Sequence, residues 1–94
     1  MDQLPALDLL ESTHQFPCPY LFKIIGTTEN GFVARAVAAV REELACPVDP
    51  PFQTRVTPGG RYIAVSVQPQ VQSAQQVLAV YRRLKVLAGL VVLW

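Results

Sequence analysis

The chain has 94 residues, 51% of them hydrophobic and 16% charged. That is one domain's worth of sequence, and it excludes both a disordered chain and a cleft between two domains. A net charge of +1 is too small to argue for nucleic acid or a membrane surface through bulk electrostatics. The charges are nevertheless uneven: residues 1–49 hold all seven acids, while residues 50–94 hold Arg55, Arg61, Arg82, Arg83 and Lys85 and no acid. These five cations are the candidates for a basic patch.

Residues 1–19 read as an N-terminal tail broken by Pro5, Pro17 and Pro19, with one short helical turn within Leu4–Leu10. Residues 20–94 then read as one domain. Tyr20–Gly26 is a strand, with Tyr20, Phe22 and Ile24 on one face and Leu21, Lys23 and Ile25 on the wetter one. Gly26–Gly31 is a connecting loop. Gly31–Ala45 follows a helical period, with Val33, Ala36, Val37, Val40 and Leu44 on one stripe, and Pro47, Pro50 and Pro51 end it.

Phe52–Thr57 and Arg61–Gln68 alternate around Pro58-Gly59-Gly60 and predict a hairpin. Ser73 and Gln76 have the spacing of a capping box. Val77, Val80, Tyr81, Leu84 and Ala88 share the following helix's apolar face, which Gly89 closes. Leu90–Trp94 is a last strand. It has no charge, no proline and no evident bulge, so as an edge it requires a cover. Alternation places Val92 inward and Val91, with Leu93, outward. The Leu4–Leu10 segment or a second copy is the expected cover, and pairing with a second copy makes the chain a weak homodimer.

The order strand, helix, strand, strand, helix, strand predicts an α+β, ferredoxin-like βαββαβ sandwich. Its four-stranded antiparallel sheet has two helices on one face. Phe22, Ile24, Val37, Val40, Val65, Tyr81 and Leu84 are the expected core.

Phe16-Pro17-x-Pro19-Tyr20-x-Phe22-Lys23-Ile24-Ile25-Gly26 resembles the opening signature of the YbeD-like family of small bacterial proteins of unknown function. Gly60-x-Tyr62, Ser73-x-x-Gln76-Val77 and Tyr81-x-x-Leu84 agree with it. The resemblance spans roughly residues 14–94. It implies a fold similar to the small-molecule-binding regulatory domains called ACT domains, and no established activity. By that likeness Gly26, Thr27, Asn30 and Gly31 are candidates for an amino-acid-binding loop at a dimer interface, although a plain turn explains the same residues.

No cofactor, metal or catalytic motif stands out. Cys18 and Cys46 lack the spacing of a disulfide framework or a zinc site, and read as reduced thiols. The serines have no base in a triad-like arrangement, and the carboxylates lie on the tail, a loop and a helix exterior, so the chain is not expected to be an enzyme. The N-terminus is not a signal peptide, Val86–Trp94 is far short of a membrane span, and a cytoplasmic protein follows. Three functions remain, in this order: a regulatory or interaction domain that binds a protein partner, an ACT-type amino-acid sensor, and a weak RNA-binding module. The third lacks a second stacking aromatic, since Ala64 stands where one is needed, and nucleic acid is disfavoured. Leu21, Ile25, Val91, Leu93 and Trp94 are the interface candidates.

Overall fold

The computed structural model describes residues 4–94. In chain order the elements are α1 (Leu7–Thr13), β1 (Cys18–Pro19), β2 (Phe22–Thr27), α2 (Phe32–Glu43), β3 (Phe52–Val56), β4 (Tyr62–Val67), β5 (Gln70–Val71), α3 (Ala74–Leu84) and β6 (Leu90–Leu93). The main sheet has the order β3-β4-β2-β6, every neighbour antiparallel. This is the ferredoxin-like α+β arrangement, with the hairpin strand β3 and the last strand β6 at the edges.

Period-two alternation decides which face of the sheet meets the helices. In β2, Phe22 and Ile24 are fully buried while Lys23 is exposed. Ile24 pairs with Val65 and Phe22 with Val67, both also fully buried. The apolar stripes of the helices close this layer: Ala36, Val37 and Val40 from α2, and Val77, Val80, Tyr81 and Leu84 from α3. All seven expected core residues are buried. Ser73 caps α3 by accepting from the Gln76 N–H at 3.2 Å, and the Gln76 side chain accepts from the Gln72 N–H at 2.7 Å. The reciprocal cap therefore reaches one residue further back than a standard capping box.

Part of the expected tail is a packed element. Residues 1–3 lie outside the described residues, but α1 lies against α3 and buries Leu10 to 3% exposure. The proline-rich stretch after α1 is organised as well. Cys18 pairs with Val71 and Pro19 with Gln70, and the Tyr20 N–H donates to the Pro69 carbonyl at 3.0 Å. An aromatic row binds this strap to the core. His14 lies 5.2 Å from Tyr20, Tyr20 lies 4.9 Å from Phe22, and Phe22 lies 5.1 Å from Tyr81, all between ring centroids. Each such pair adds roughly 0.5–1.5 kcal/mol beyond area burial.

β6 departs from the expected alternation. Ile24 pairs with Leu93 and Ile25 with Val92, but Gly26 pairs with Leu90, so Val91 is an extra residue in a bulge. One extra residue reverses the parity of everything after it. Leu93 therefore points into the core at 2% exposure and is not an interface residue, while Val92 and Trp94 turn to the open side. The edge thus has a bulge after all, and α1, set against α3, is not its cover.

The charged halves of the sequence interleave in space. Arg83 on α3 pairs with Glu42 and Glu43 on α2, both at 3.1 Å, and Arg41 pairs with Asp49 at 2.6 Å. These pairs are exposed enough that each contributes roughly 0–1 kcal/mol.

Val65→Ala is expected to cost roughly 1–3 kcal/mol through lost transfer energy and a residual cavity. An unchanged urea midpoint would show that β4 does not pack as described. Tyr81 gives a pH test. Burial first, then the 3.1 Å hydroxyl contact with Tyr20, holds its phenol above the ordinary 10.0. The folded state keeps a proton there that the unfolded chain releases. That contribution is complete below pH about 10 and declines as the pH rises further. Urea unfolding across this range should show the decline in the wild type and a shallower one in Tyr81→Phe.

Candidate functional site

Helices cover one face of the sheet and leave the other open. Lys23, Ile25 and Thr27 reach that open face from β2, Tyr62, Ala64 and Ser66 from β4, Gln53 and Arg55 from β3, and Val92 and Trp94 from β6, as the pairing registers require. The face therefore carries two cationic side chains and no Asp or Glu side chain among the described residues. A shallow depression of about 510 Å³ lies over its centre, lined by Lys23, Ile25, Arg55, Ala64, Ser66 and Trp94 among others. A neighbouring one of about 350 Å³ adds Leu21 and Phe52.

Trp94 is held in place by its backbone. Its N–H donates to the Lys23 carbonyl and the Lys23 N–H donates to the Trp94 carbonyl, each at 2.9 Å. The Lys23 ammonium stands 5.8 Å from the indole centroid, a cation–π contact. Trp94 is 47% exposed, so one corner of the open face presents a large aromatic surface next to a cation. Tyr62 is level with Thr27, at the opposite end of β2. The two aromatics therefore do not form one stacking platform.

The strand–helix loop is filled from within. Gly26 lies under the ring of Phe32, and a Cβ there would collide with the ring tip. Gly89, on the other side, meets Thr27 Oγ1 and the Phe32 ring edge in the same way, at 2.8 and 3.5 Å. Arg35 closes the top: its guanidinium is 5.6 Å from the Phe32 centroid, Nε donates to the Asn30 carbonyl at 3.0 Å and Nη1 to the Ala88 carbonyl at 2.9 Å. Asn30 and Gly31 take left-handed conformations to turn the chain into α2. The space on the helix side of Gly26 is thus occupied by the chain's own Phe32, so that Phe32, Gly26 and Gly89 form a packed latch, while Thr28, Glu29, Asn30 and Gly31 stay exposed.

The basic candidates do not converge. Arg55 is on the open face, Arg61 adjoins the β3–β4 turn, and Arg82 and Lys85 are exposed on or just beyond α3, in the helix layer. Arg83 is engaged with Glu42 and Glu43. Of the interface candidates, Leu21, Ile25 and Trp94 share the open face, Val91 stands at the bulge and Leu93 is core. The pairing of Lys23 with Trp94 has no local sequence signal, because it depends on the bulge. Phe32 could have been found as an aromatic six residues after a strand glycine, where a helix begins. Among the described residues, no group of three His, Cys, Asp or Glu side chains is placed to hold a metal ion, and no helix is long and apolar enough to cross a membrane.

Residues 11–93 match the family described as "Protein of unknown function (DUF493)". A UPF0250 protein of Shewanella woodyi is 29% identical over 75 residues, covering 80% of this chain and 83% of its own length. Another from Paraburkholderia phytofirmans is 33% identical, covering 79% and 83%. These are YbeD-type relatives, as the signature around Phe16–Gly26 implied. Among solved structures, protein HP0495 from H. pylori superposes with a TM-score of 0.65 at 14% identity, over 100% of this chain and 98% of that one. At that identity the likeness supports the fold alone.

The latch is testable. Gly26→Ala is expected to destabilise the protein by roughly 1–3 kcal/mol, because the ring it meets is fully enclosed. The double variant Gly26→Ala/Phe32→Ala should lose less than the sum of the two single changes, since removing the ring removes the clash. Additive losses in urea unfolding would count against the close contact.

Proposed function

The chain belongs to the DUF493 family of proteins of unknown function, and on that premise we propose that it is a small, non-enzymatic interaction domain of the cytoplasm that binds a protein partner through the open face of its sheet. The observation that carries this reading is the composition of that face. Lys23 and Arg55 stand among Ile25, Ala64, Val92 and Trp94 with no Asp or Glu side chain beside them. Protein interfaces enrich aromatic side chains and arginine, and a tryptophan at such a site is the usual anchor.

The chemistry favours a partner that brings a carboxylate to Lys23 or Arg55 and an apolar side chain to the indole. A flat, shallow face suits such a protein surface better than a small molecule, which needs an enclosed pocket. The filled loop at Gly26 argues in the same direction and against an amino-acid sensor. The separation of Tyr62 from Trp94 argues against base stacking.

Affinity capture of the tagged chain from its own cytosol, run in parallel with Lys23→Glu and Trp94→Ala, tests the reading. Both side chains reach solvent, so thermal unfolding should stay near wild type. A protein retained by wild type should be lost from both variants, and the affinity of the purified pair should fall about tenfold or more, roughly 1.4 kcal/mol, for Trp94→Ala. Equal retention by all three proteins would reject the open face as the binding surface. A retained RNA or metabolite in place of a protein would reject the partner class.

A further inference from the structure

The strand β3 has a surface of its own. The Gln68 N–H donates to the Pro51 carbonyl and the Thr57 N–H to the Tyr62 carbonyl, both at 2.9 Å. In an antiparallel ladder the bonded residues alternate. Pro51, Gln53, Arg55 and Thr57 therefore direct their backbone groups at β4, and Phe52, Thr54 and Val56 direct theirs outward, to the free edge. The side chains of these same three residues lie on the helix side of the sheet, opposite Val67, Val65 and Ile63. Yet neither helix reaches over them: all of β3 is exposed, with Phe52 at 43% and Val56 at 54%. The strand itself has no proline, bulge or lysine; its one charge, Arg55, projects to the open face, and Pro50, Pro51 and Pro58 flank the edge without interrupting it. β6, by contrast, is interrupted by its bulge at Val91.

We propose that β3 pairs with β3 of a second copy of this chain, antiparallel about a twofold axis at Thr54, doubling the four-stranded sheet into one of eight strands. In this register Phe52 lies opposite Val56 of the second copy, and Thr54 opposite Thr54. All the outward N–H and C=O groups of the strand are then bonded. Two exposed apolar side chains cover each other on the helix side. On the other side Arg55 lies opposite Gln53 of the second copy, an acceptor, rather than opposite another cation.

Neighbouring registers are worse. An axis at Gln53 places Val56 against Pro50, which has no N–H. An axis at Arg55 sets two guanidinium groups face to face and places Phe52 against Pro58. An axis between residues mismatches the outward groups altogether. The match at Thr54 is self-complementary, as a closed twofold contact requires. A five-residue strand buries less than a standard interface, so the association is weak, roughly micromolar or above. This edge adjoins the open face and shares Phe52, Gln53 and Arg55 with the rims of its depressions, but the pairing rests on the backbone groups of β3 and the partner reading on Lys23 and Trp94, so neither depends on the other.

Sedimentation velocity of the full chain, from micromolar to millimolar, reads the association directly. The wild-type sedimentation coefficient should rise with concentration. Thr54→Pro removes an N–H that makes no bond within the protein, so it should retain the circular dichroism and melting behaviour of the wild type and remain monomeric. Val56→Lys, at an already exposed position, should weaken the association at least tenfold and serves where the proline variant does not fold. Register is read by mild oxidation in a Cys18→Ser/Cys46→Ser background. Thr54→Cys should cross-link because its copies face each other within disulfide reach, and Gln53→Cys should not, because its copies are diagonal. A wild type that stays monomeric throughout, wild-type association in Val56→Lys, or cross-linking at Gln53→Cys in preference to Thr54→Cys would overturn the proposal. None of these outcomes touches the capture of a partner through Lys23 and Trp94.

Discussion

The ring of Phe32 is the contact on which the rest of the architecture hangs. It sits at the first turn of α2 and lies across Gly26 at the end of β2 and Gly89 before β6. Those two segments are also joined by the Thr27 N–H to Gly89 carbonyl bond at 2.9 Å. One side chain thus fixes the angle at which the helix layer meets the sheet and the position at which the last strand joins it. The two glycines are there because any Cβ would collide with the ring or with Thr27. Arg35 completes the arrangement by tying the loop before α2 to the loop after α3 through two backbone carbonyls.

A second consequence follows at the other end of β6. With Gly26 paired to Leu90, and Ile25 paired to Val92 rather than Val91, the strand has one residue too many for a regular ladder. The bulge turns Leu93 into the core and brings Trp94 beside Lys23 on the open face. The arrangement around Phe32 and the composition of the candidate binding face are therefore linked through a single extra residue. The bulge also disrupts the outer edge of β6, while β3, lying beyond the reach of both helices, keeps an uninterrupted one. Two helices over a four-stranded sheet cover the central strands first, and the strand left over is the one whose side chains are all exposed.

The N-terminal segment has a comparable logic. Its prolines prevent a long helix or strand, but they do not prevent burial. Leu10 enters the core from α1, and the aromatic row from His14 to Tyr81 holds the strap in place. The hydroxyl of Tyr81 is satisfied by Tyr20, so the deepest polar group of this row has its partner. A segment that looks like a linker by composition is in effect a third layer over α3.

The sequence by itself determined the order of the main elements, the inner faces of β2 and β4, and the apolar stripes of α2 and α3. These follow from periods of two and 3.6 and from strong stop signals such as Pro47, Pro50, Pro51 and Pro58-Gly59-Gly60, all of them local. The signature Phe16–Gly26 also carried the family. Only the tertiary structure decided which way Leu93 and Trp94 point, that Phe32 fills the loop at Gly26, that Arg83 is engaged by Glu42 and Glu43, and that Leu10 is core. Each of these depends on what lies opposite in space. A bulge is defined by the neighbouring strand, a filled pocket by a ring from another element, and an ion pair by residues some forty positions away. The chain's own pattern holds no record of such partners until the fold brings them together.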